Sequence, residues 1–221
     1  MEESTLTSGE IPRQLSFAEK ARALLYSHPP RVAILATIFA AEQTDLKKRE
    51  LIRLFVASLF HDAGKICVDG ILKMTFNDCK LSPEDKIKMD THPIYGHKFF
   101  TWLGLPKIAE IILEHHERWN DRDHGYPRKL KGEAISLSAR ILAMADALDV
   151  MIAWRPYNHL KNIDEAIAEI HDESGKQFDP GLVEPFCEFV EKHRLLIRFL
   201  LLNSPRAKSE RNLGEPEPCP N

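Results

Sequence analysis

Between residues 28 and 202 apolar side chains recur at helical spacing, and convincing strand alternation is missing. This limits the chain to an all-α fold more strictly than any other feature. Val32, Leu35, Ala36 and Phe39 form one stripe, predicting a helix over 32–43, with Pro29 and Pro30 at its start. Residues 49–61 make a second helix, and Gly64 suits its C-terminal stop. Ser82-Pro83-Glu84-Asp85 resembles a capping box with Asp in the usual Glu/Gln place. Further helices are expected over 94–103, 108–116, 134–153, 160–171 and 182–202, with a polar loop at 120–131. The expected architecture is a compact bundle of about seven to nine helices. With 221 residues, the chain is expected to form one domain over 15–202. A flexible arm is expected at 1–14, and a disordered tail at 203–221, where NSPRAKSERNLGEPEPCPN carries four prolines.

Composition excludes several classes of function. Thirty Lys and Arg against thirty-three Asp and Glu give a net charge of −3, so there is no broad basic footprint for a nucleic-acid polymer. Cys67, Cys79, Cys187 and Cys219 form no CxxC pair and are too few for a disulfide scaffold. A reducing, cytoplasmic setting follows as the expectation. The polar start MEESTLTSGE is wrong for a signal peptide. The apolar stretches 32–41 and 195–202 are too short to span a bilayer, so no membrane insertion is expected.

The chemistry lies in a series of histidines and acids. His61-Asp62 falls at a helix end, where imidazole and carboxylate can both reach a cation; a carboxylate can bridge two, which suits phosphoester chemistry. His115-His116-Glu117 closes the apolar stretch 108–113, and imidazole is the commonest metal-binding side chain. Each of these pairs, and His92 before Pro93, also reads as an ordinary solvated helix end or capped turn. Asp146 is sharper. It sits in an apolar helix beside Met144 and Ala145, where a buried carboxylate requires a cation or an arginine. Arg140, six residues back, is poorly placed to serve.

In order along the chain come His61-Asp62-Ala63-Gly64-Lys65, then Thr91-His92-Pro93 with Gly96, then His115-His116-Glu117-Arg118 and Gly125-Tyr126-Pro127. Asp146-Ala147-Leu148-Asp149, Arg155-Pro156-Tyr157, and Gly175 with Phe178-Asp179-Pro180 complete the series. In this order and spacing, from about residue 28 to 186, the chain resembles the HD-GYP family, a branch of the HD-domain metal-dependent phosphohydrolases. The resemblance implies an all-α domain with two or three transition-metal ions, often iron or manganese with zinc as an alternative, that hydrolyses cyclic di-GMP. It implies His61, Asp62 and Asp146 at one ion, with Asp62 bridging to a second ion held by His92, His115 and His116. His28 matches the upstream family histidine in its HxxRV context, through His28-Pro29-Pro30-Arg31-Val32. Lys65 matches a lysine near the scissile phosphate, Arg155 a phosphate-binding arginine, and Asp149 a substrate-contacting acid. A hydroxide activated by paired cations would attack phosphorus, with Lys65 and Arg155 offsetting phosphoryl charge.

The pattern departs from the family at four places. Between Arg118 and Gly125 the loop is two residues longer and lacks Asp-Gly, and it brings in His124. Asn158 stands where a Lys or Arg usually follows Arg-Pro-Tyr, and Ile152-Ala153-Trp154 replaces a polar stretch. Leu24 occupies the position of a glutamate in trimetal members, so two ions are expected rather than three. The leading expectation is therefore a cyclic di-GMP phosphodiesterase. The alternatives are a weak or inactive cyclic di-GMP receptor or adaptor, or an HD-type phosphohydrolase of another nucleotide. Signalling proteins are expected as partners through the Gly125-Tyr126-Pro127 loop.

Overall fold

A computed structural model describes residues 27–68, 82–153 and 161–202. Its helices run α1 (His28–Gln43), α2 (Lys48–Phe60), α3 (Pro83–Met89), α4 (His92–Trp102), α5 (Pro106–Glu114), α6 (Leu137–Ile152), α7 (Ile163–Asp172), α8 (Pro180–Lys192) and α9 (Arg194–Leu202). Short 3-10 segments cover Ala63–Cys67 and Gly132–Ala134. Among the described residues there is no strand, only an isolated bridge between Ser174 and Phe178. The all-α expectation therefore holds. No described helix is long and apolar enough to cross a membrane.

The central helix is α6, which packs against α1, α2, α5 and α7. It buries Ile141, Leu142, Met144, Ala145 and Leu148 completely. The stripe read in α1 is the one that packs: Val32, Leu35, Ala36 and Phe39 are all buried. Phe39 meets Phe186 and Phe189 of α8 edge-on at 5.0 and 5.5 Å.

Helix ends differ from the sequence expectation for identifiable reasons. α1 begins at His28 itself, because Pro29 and Pro30 occupy first-turn positions where no amide donor is needed. α4 likewise starts at His92, with Pro93 in its first turn. The single helix expected over 182–202 is two, because the chain breaks at His193 (φ −103°, ψ 18°). The helix expected from Ala134 starts at Leu137, since Gly132 takes a positive φ of 56° and the chain passes through a 3-10 turn first. Ser82 caps α3 by accepting from the Asp85 amide at 3.1 Å. Gly64 does not take the positive φ of a helix stop; its backbone lies against α4, and a Cβ there would sit 1.9 Å from the His92 carbonyl oxygen.

Candidate metal centre

Three histidines are aimed by one device. His61 Nδ1 lies 2.7 Å from Ser58 O, His92 Nδ1 2.6 Å from Met89 O, and His115 Nδ1 2.6 Å from Ile112 O. A carbonyl can only accept, so each Nδ1 carries the proton and each neutral ring turns an Nε2 lone pair inward. Ser58, Met89 and Ile112 lie in the last turns of α2, α3 and α5. Their carbonyls are among those a helix end leaves without intrahelical partners. All three rings are about 1% exposed.

His28 begins a helix and has no such carbonyl behind it. Its Nδ1 meets Asp149 Oδ2 at 2.7 Å. Arg31, one turn along α1, grips the same carboxylate through Nε to Oδ1 at 2.6 Å and Nη2 to Oδ2 at 2.8 Å. His28 Nε2 lies 3.0 Å from Asp146 Oδ1. Asp146 and Asp149 are thus brought to one face of α6, as their spacing indicated. Asp149, however, is 1% exposed with both oxygens engaged, so its placement does not support contact with a substrate.

Asp62 stands between the two histidine groups. Its Oδ1 is 3.3 Å from His92 Nε2 and its Oδ2 is 3.6 Å from His61 Nε2. Lys65 Nζ pairs with that Oδ2 at 2.6 Å. Asp62, Asp146, His28 and Lys65 are each 14–24% exposed, so they form the open side above the buried imidazole floor. Arg140 does not serve Asp146; it pairs with Asp179 and lies over Trp119.

The electrostatics fit a cation. His92 Nε2 and His115 Nε2 are 3.3 Å apart with both Nδ1 protons committed elsewhere, so two lone pairs face each other. Protonation is a poor remedy for His115, which burial and its histidine neighbours hold well below the usual range. Burial likewise lowers His61, and brings His116 down to about 3. His61 Nε2 lies 3.6 and 3.7 Å from carboxylate oxygens of Asp62 and Asp146. Despite burial, His28 is raised to about 9 by its bonds to Asp146 and Asp149. Although burial opposes ionisation, neighbouring cationic and imidazole groups hold Asp62 and Asp146 low, as charged ligands. Three overlapping groups bring one ligand atom each within 4.8 Å: His92, His115 and His116; His28, His61 and Asp146; and His61, Asp62 and His115. These nitrogen and oxygen sets suit transition metals.

The residues after His116 hold the loop rather than the centre. Buried Glu117 accepts from the Arg128 and Leu130 amides at 2.6 and 2.7 Å. Arg118 pairs with Asp121 and Gln177. Tyr126 stacks on His116, with its hydroxyl near Asp90. His124 is 73% exposed and pairs with Asp121, an ordinary loop histidine. Arg31 and Tyr126 escaped the sequence reading as parts of the centre. A buried arginine one turn from a histidine was the available signal for Arg31, because such a charge needs a carboxylate. Arg155, Trp154, Asn158 and Leu24 lie outside the described residues, as do Cys79 and Cys219. Cys67 and Cys187 are free thiols.

The sequence model of the HD domain family matches residues 16–182. The chain is 35% identical over 166 residues to a cyclic di-GMP phosphodiesterase of Thermotoga maritima, an alignment covering 74% of this chain and 44% of that protein. It is 33% identical over 193 residues to the 3'3'-cGAMP-specific phosphodiesterase 2 of Vibrio cholerae, covering 82% and 35%. Among solved structures, an HD-GYP-type protein of Bdellovibrio bacteriovorus superposes with a TM-score of 0.59 at 21% identity, over 74% of this chain and 51% of that one. The chain belongs to the HD-domain family, in its HD-GYP branch. It spans less than half the length of the two curated relatives just described.

Proposed function

We propose that the chain is a metal-dependent phosphodiesterase that opens cyclic di-GMP. The observation that carries this reading is the carboxylate of Asp62 set between two inward-facing histidine groups. His28, His61 and Asp146 would hold one ion, His92, His115 and His116 a second, with Asp62 shared between them. Two ions are proposed, iron or manganese before zinc. Bound there, such ions supply Lewis acidity toward a phosphoryl oxygen and bring the acidity of water near neutrality.

The chain's own residues do the rest. The carbonyls of Ser58, Met89 and Ile112 keep the three floor imidazoles in the ligating tautomer. Asp149, held by Arg31, does the same for His28 and acts as its orienting carboxylate. Lys65, on the open side next to Asp62, places an ammonium where a phosphoryl oxygen arrives and offsets its charge. Arg155 is proposed to grip a phosphate through its guanidinium fork. The relatives named for cyclic di-GMP and for 3'3'-cGAMP make the latter dinucleotide the competing substrate. A cytoplasmic site of action follows from that substrate class, and the Gly125-Tyr126-Pro127 loop is the surface proposed for signalling partners.

The test uses anaerobically purified protein loaded with iron or manganese and mixed in turn with cyclic di-GMP and 3'3'-cGAMP. Products are read by chromatography and binding by calorimetry. Hydrolysis of cyclic di-GMP at the faster rate is expected. Tight binding without turnover would favour the receptor alternative, and faster cleavage of 3'3'-cGAMP would reassign the substrate.

A further inference from the structure

Four of the five imidazoles in the centre are aimed by a hydrogen bond at Nδ1: three to backbone carbonyls and His28 to Asp149. Among the described residues His116 has no such bond, and none of the interactions on its ring is a hydrogen bond. The torsion that swings an imidazole about its Cβ–Cγ bond is broad, so a ring without a partner has no fixed plane. Yet one His116 nitrogen lies within 4.8 Å of the ligating atoms of His92 and His115.

What meets the ring is Tyr126. The two rings stack with centroids 4.8 Å apart and planes 29° apart. The His115 and His92 rings lie 4.0 and 5.1 Å away, centroid to centroid. The geometry points to Tyr126 as the positioning residue of His116, its phenol ring fixing the imidazole plane so that one nitrogen faces the His92–His115 pair. This inference rests on the metal-binding reading above.

Tyr126 is itself held from several directions. Its amide donates to the His116 carbonyl at 3.2 Å, so the loop is tied to the residue it orients. Its hydroxyl lies near Asp90, the residue after α3, whose neighbour Met89 supplies the carbonyl that aims His92. Burial and the carboxylates of Asp90, Asp62 and Asp146 disfavour the phenolate, which keeps the hydroxyl a donor. Gly125 allows the close approach: a Cβ there would lie 3.0 Å from the Arg118 amide nitrogen and 3.2 Å from Asp121 O. Beyond Pro127, the Glu117 carboxylate clamps the Arg128 and Leu130 amides. The ring is thus fixed from both sides of the loop, although the loop is longer than the family pattern.

The experiment compares Tyr126→Phe, Tyr126→Leu and Tyr126→Ala in the full chain, with His124→Ala as a loop control. Metal affinity is read by calorimetry and the ligand field by the visible absorption of the cobalt-substituted protein. The ring-current shift of the His116 protons is read by NMR of histidine-labelled, zinc-loaded protein. Tyr126→Ala and Tyr126→Leu should weaken one metal-binding step by about 10- to 100-fold. They should also change the cobalt spectrum and abolish the His116 shift. Tyr126→Phe should restore all three to near wild type, and His124→Ala should alter none. Wild-type affinity and spectrum in both Tyr126→Ala and Tyr126→Leu would overturn the inference. A Tyr126→Phe protein as impaired as Tyr126→Ala would also overturn it, assigning the effect to the hydroxyl. If the wild-type chain takes up no metal, the metal reading is what fails; the His116 shift, measured without metal, then still decides the role of Tyr126.

Discussion

Replacing Gly64 with alanine tests whether the spacing of the metal centre is set by direct contact between two backbones. A Cβ at Gly64 would lie 1.9 Å from the His92 carbonyl oxygen, 2.7 Å from the Gly96 amide nitrogen and 2.9 Å from the His92 carbonyl carbon. Ordinary contact starts at 3.4 Å, so the missing separation is 3.4 − 1.9 = 1.5 Å. All three atoms are backbone, and no rotamer change relieves the overlap. Overpacking typically costs about 1–3 kcal/mol, and a backbone-on-backbone clash belongs at or above the upper figure, about 3 kcal/mol. The same displacement would carry Asp62, two residues before Gly64, away from His92, whose Nε2 now lies 3.3 Å from Asp62 Oδ1. Metal ligands tolerate errors of only about 0.2 Å, so affinity should fall by about 100-fold or more. Urea unfolding followed by circular dichroism gives the first quantity, and calorimetric titration with manganese gives the second. Gly96→Ala is the control. Its Cβ would overlap the Ile112 Cγ2 methyl at 2.8 Å and make ordinary contact with the Gly64 amide nitrogen at 3.8 Å; a side chain can yield, so about 1 kcal/mol and near-normal metal binding are expected. A Gly64→Ala protein within about 1 kcal/mol of wild type, with unchanged metal affinity, would refute the spacing argument.

Asp149→Asn should weaken metal binding by about 10- to 100-fold. It should also lower stability by about 3 kcal/mol, measured by urea unfolding, because buried Arg31 loses its charged partner. In chelator-treated protein, His28, raised to about 9 through Asp146 and Asp149 despite burial, contributes stability that is full below pH 6.5 and is lost as pH rises through 9. His61, His115 and His116 are lowered mainly by burial, so they act oppositely and destabilise the fold as pH falls through 6.5. Thermal unfolding without metal should therefore show greatest stability near pH 6.5, and saturating metal should remove the alkaline decline; a melting temperature that climbs steadily from pH 6 to 9 without metal would count against this. Iodoacetamide at pH 8, read by peptide mapping, should label exposed Cys67 and spare buried Cys187, whose thiol burial pushes up to about 11, until the protein unfolds.

Much of the fold was legible because helical periodicity is a property of the chain. The stripe from Val32 to Phe39 is buried, and Phe39 at its end packs against α8. The breaks were less legible. Nothing in the apolar run from 182 to 202 marks His193 as a helix end, since the pattern continues through α9. Gly64 misled for a related reason: glycine signals a left-handed helix stop and a close backbone approach equally well, and only α4 lying against it decides between them. Within the centre, residue types and order pointed to the imidazoles and acids that converge. Their supporting partners depend on tertiary contact. Asp149 could be placed on the face of Asp146 from spacing alone. That its oxygens are taken by Arg31 and His28, 118 and 121 residues away, could not.

The carbonyls behind the histidines explain why such a pattern favours cations. The last turns of α2, α3 and α5 each turn one carbonyl, of Ser58, Met89 and Ile112, to a cluster imidazole, and helix C-termini carry partial negative charge. Each Nδ1–H satisfies one of those carbonyls and, in the same bond, commits the ring to ligate through Nε2. A resident anion would face three helix C-termini and the carboxylates of Asp62 and Asp146, whereas a cation finds every one of them favourable. His28 sits at the opposite end of its helix, where no C-terminal carbonyl stands behind the ring, so the chain uses the carboxylate of Asp149 instead. The ligand whose helix end is wrong for the device is the one that needs a buried Arg–Asp pair behind it. Arg31 supplies that pair because, three residues after His28, it lies on the same face of α1.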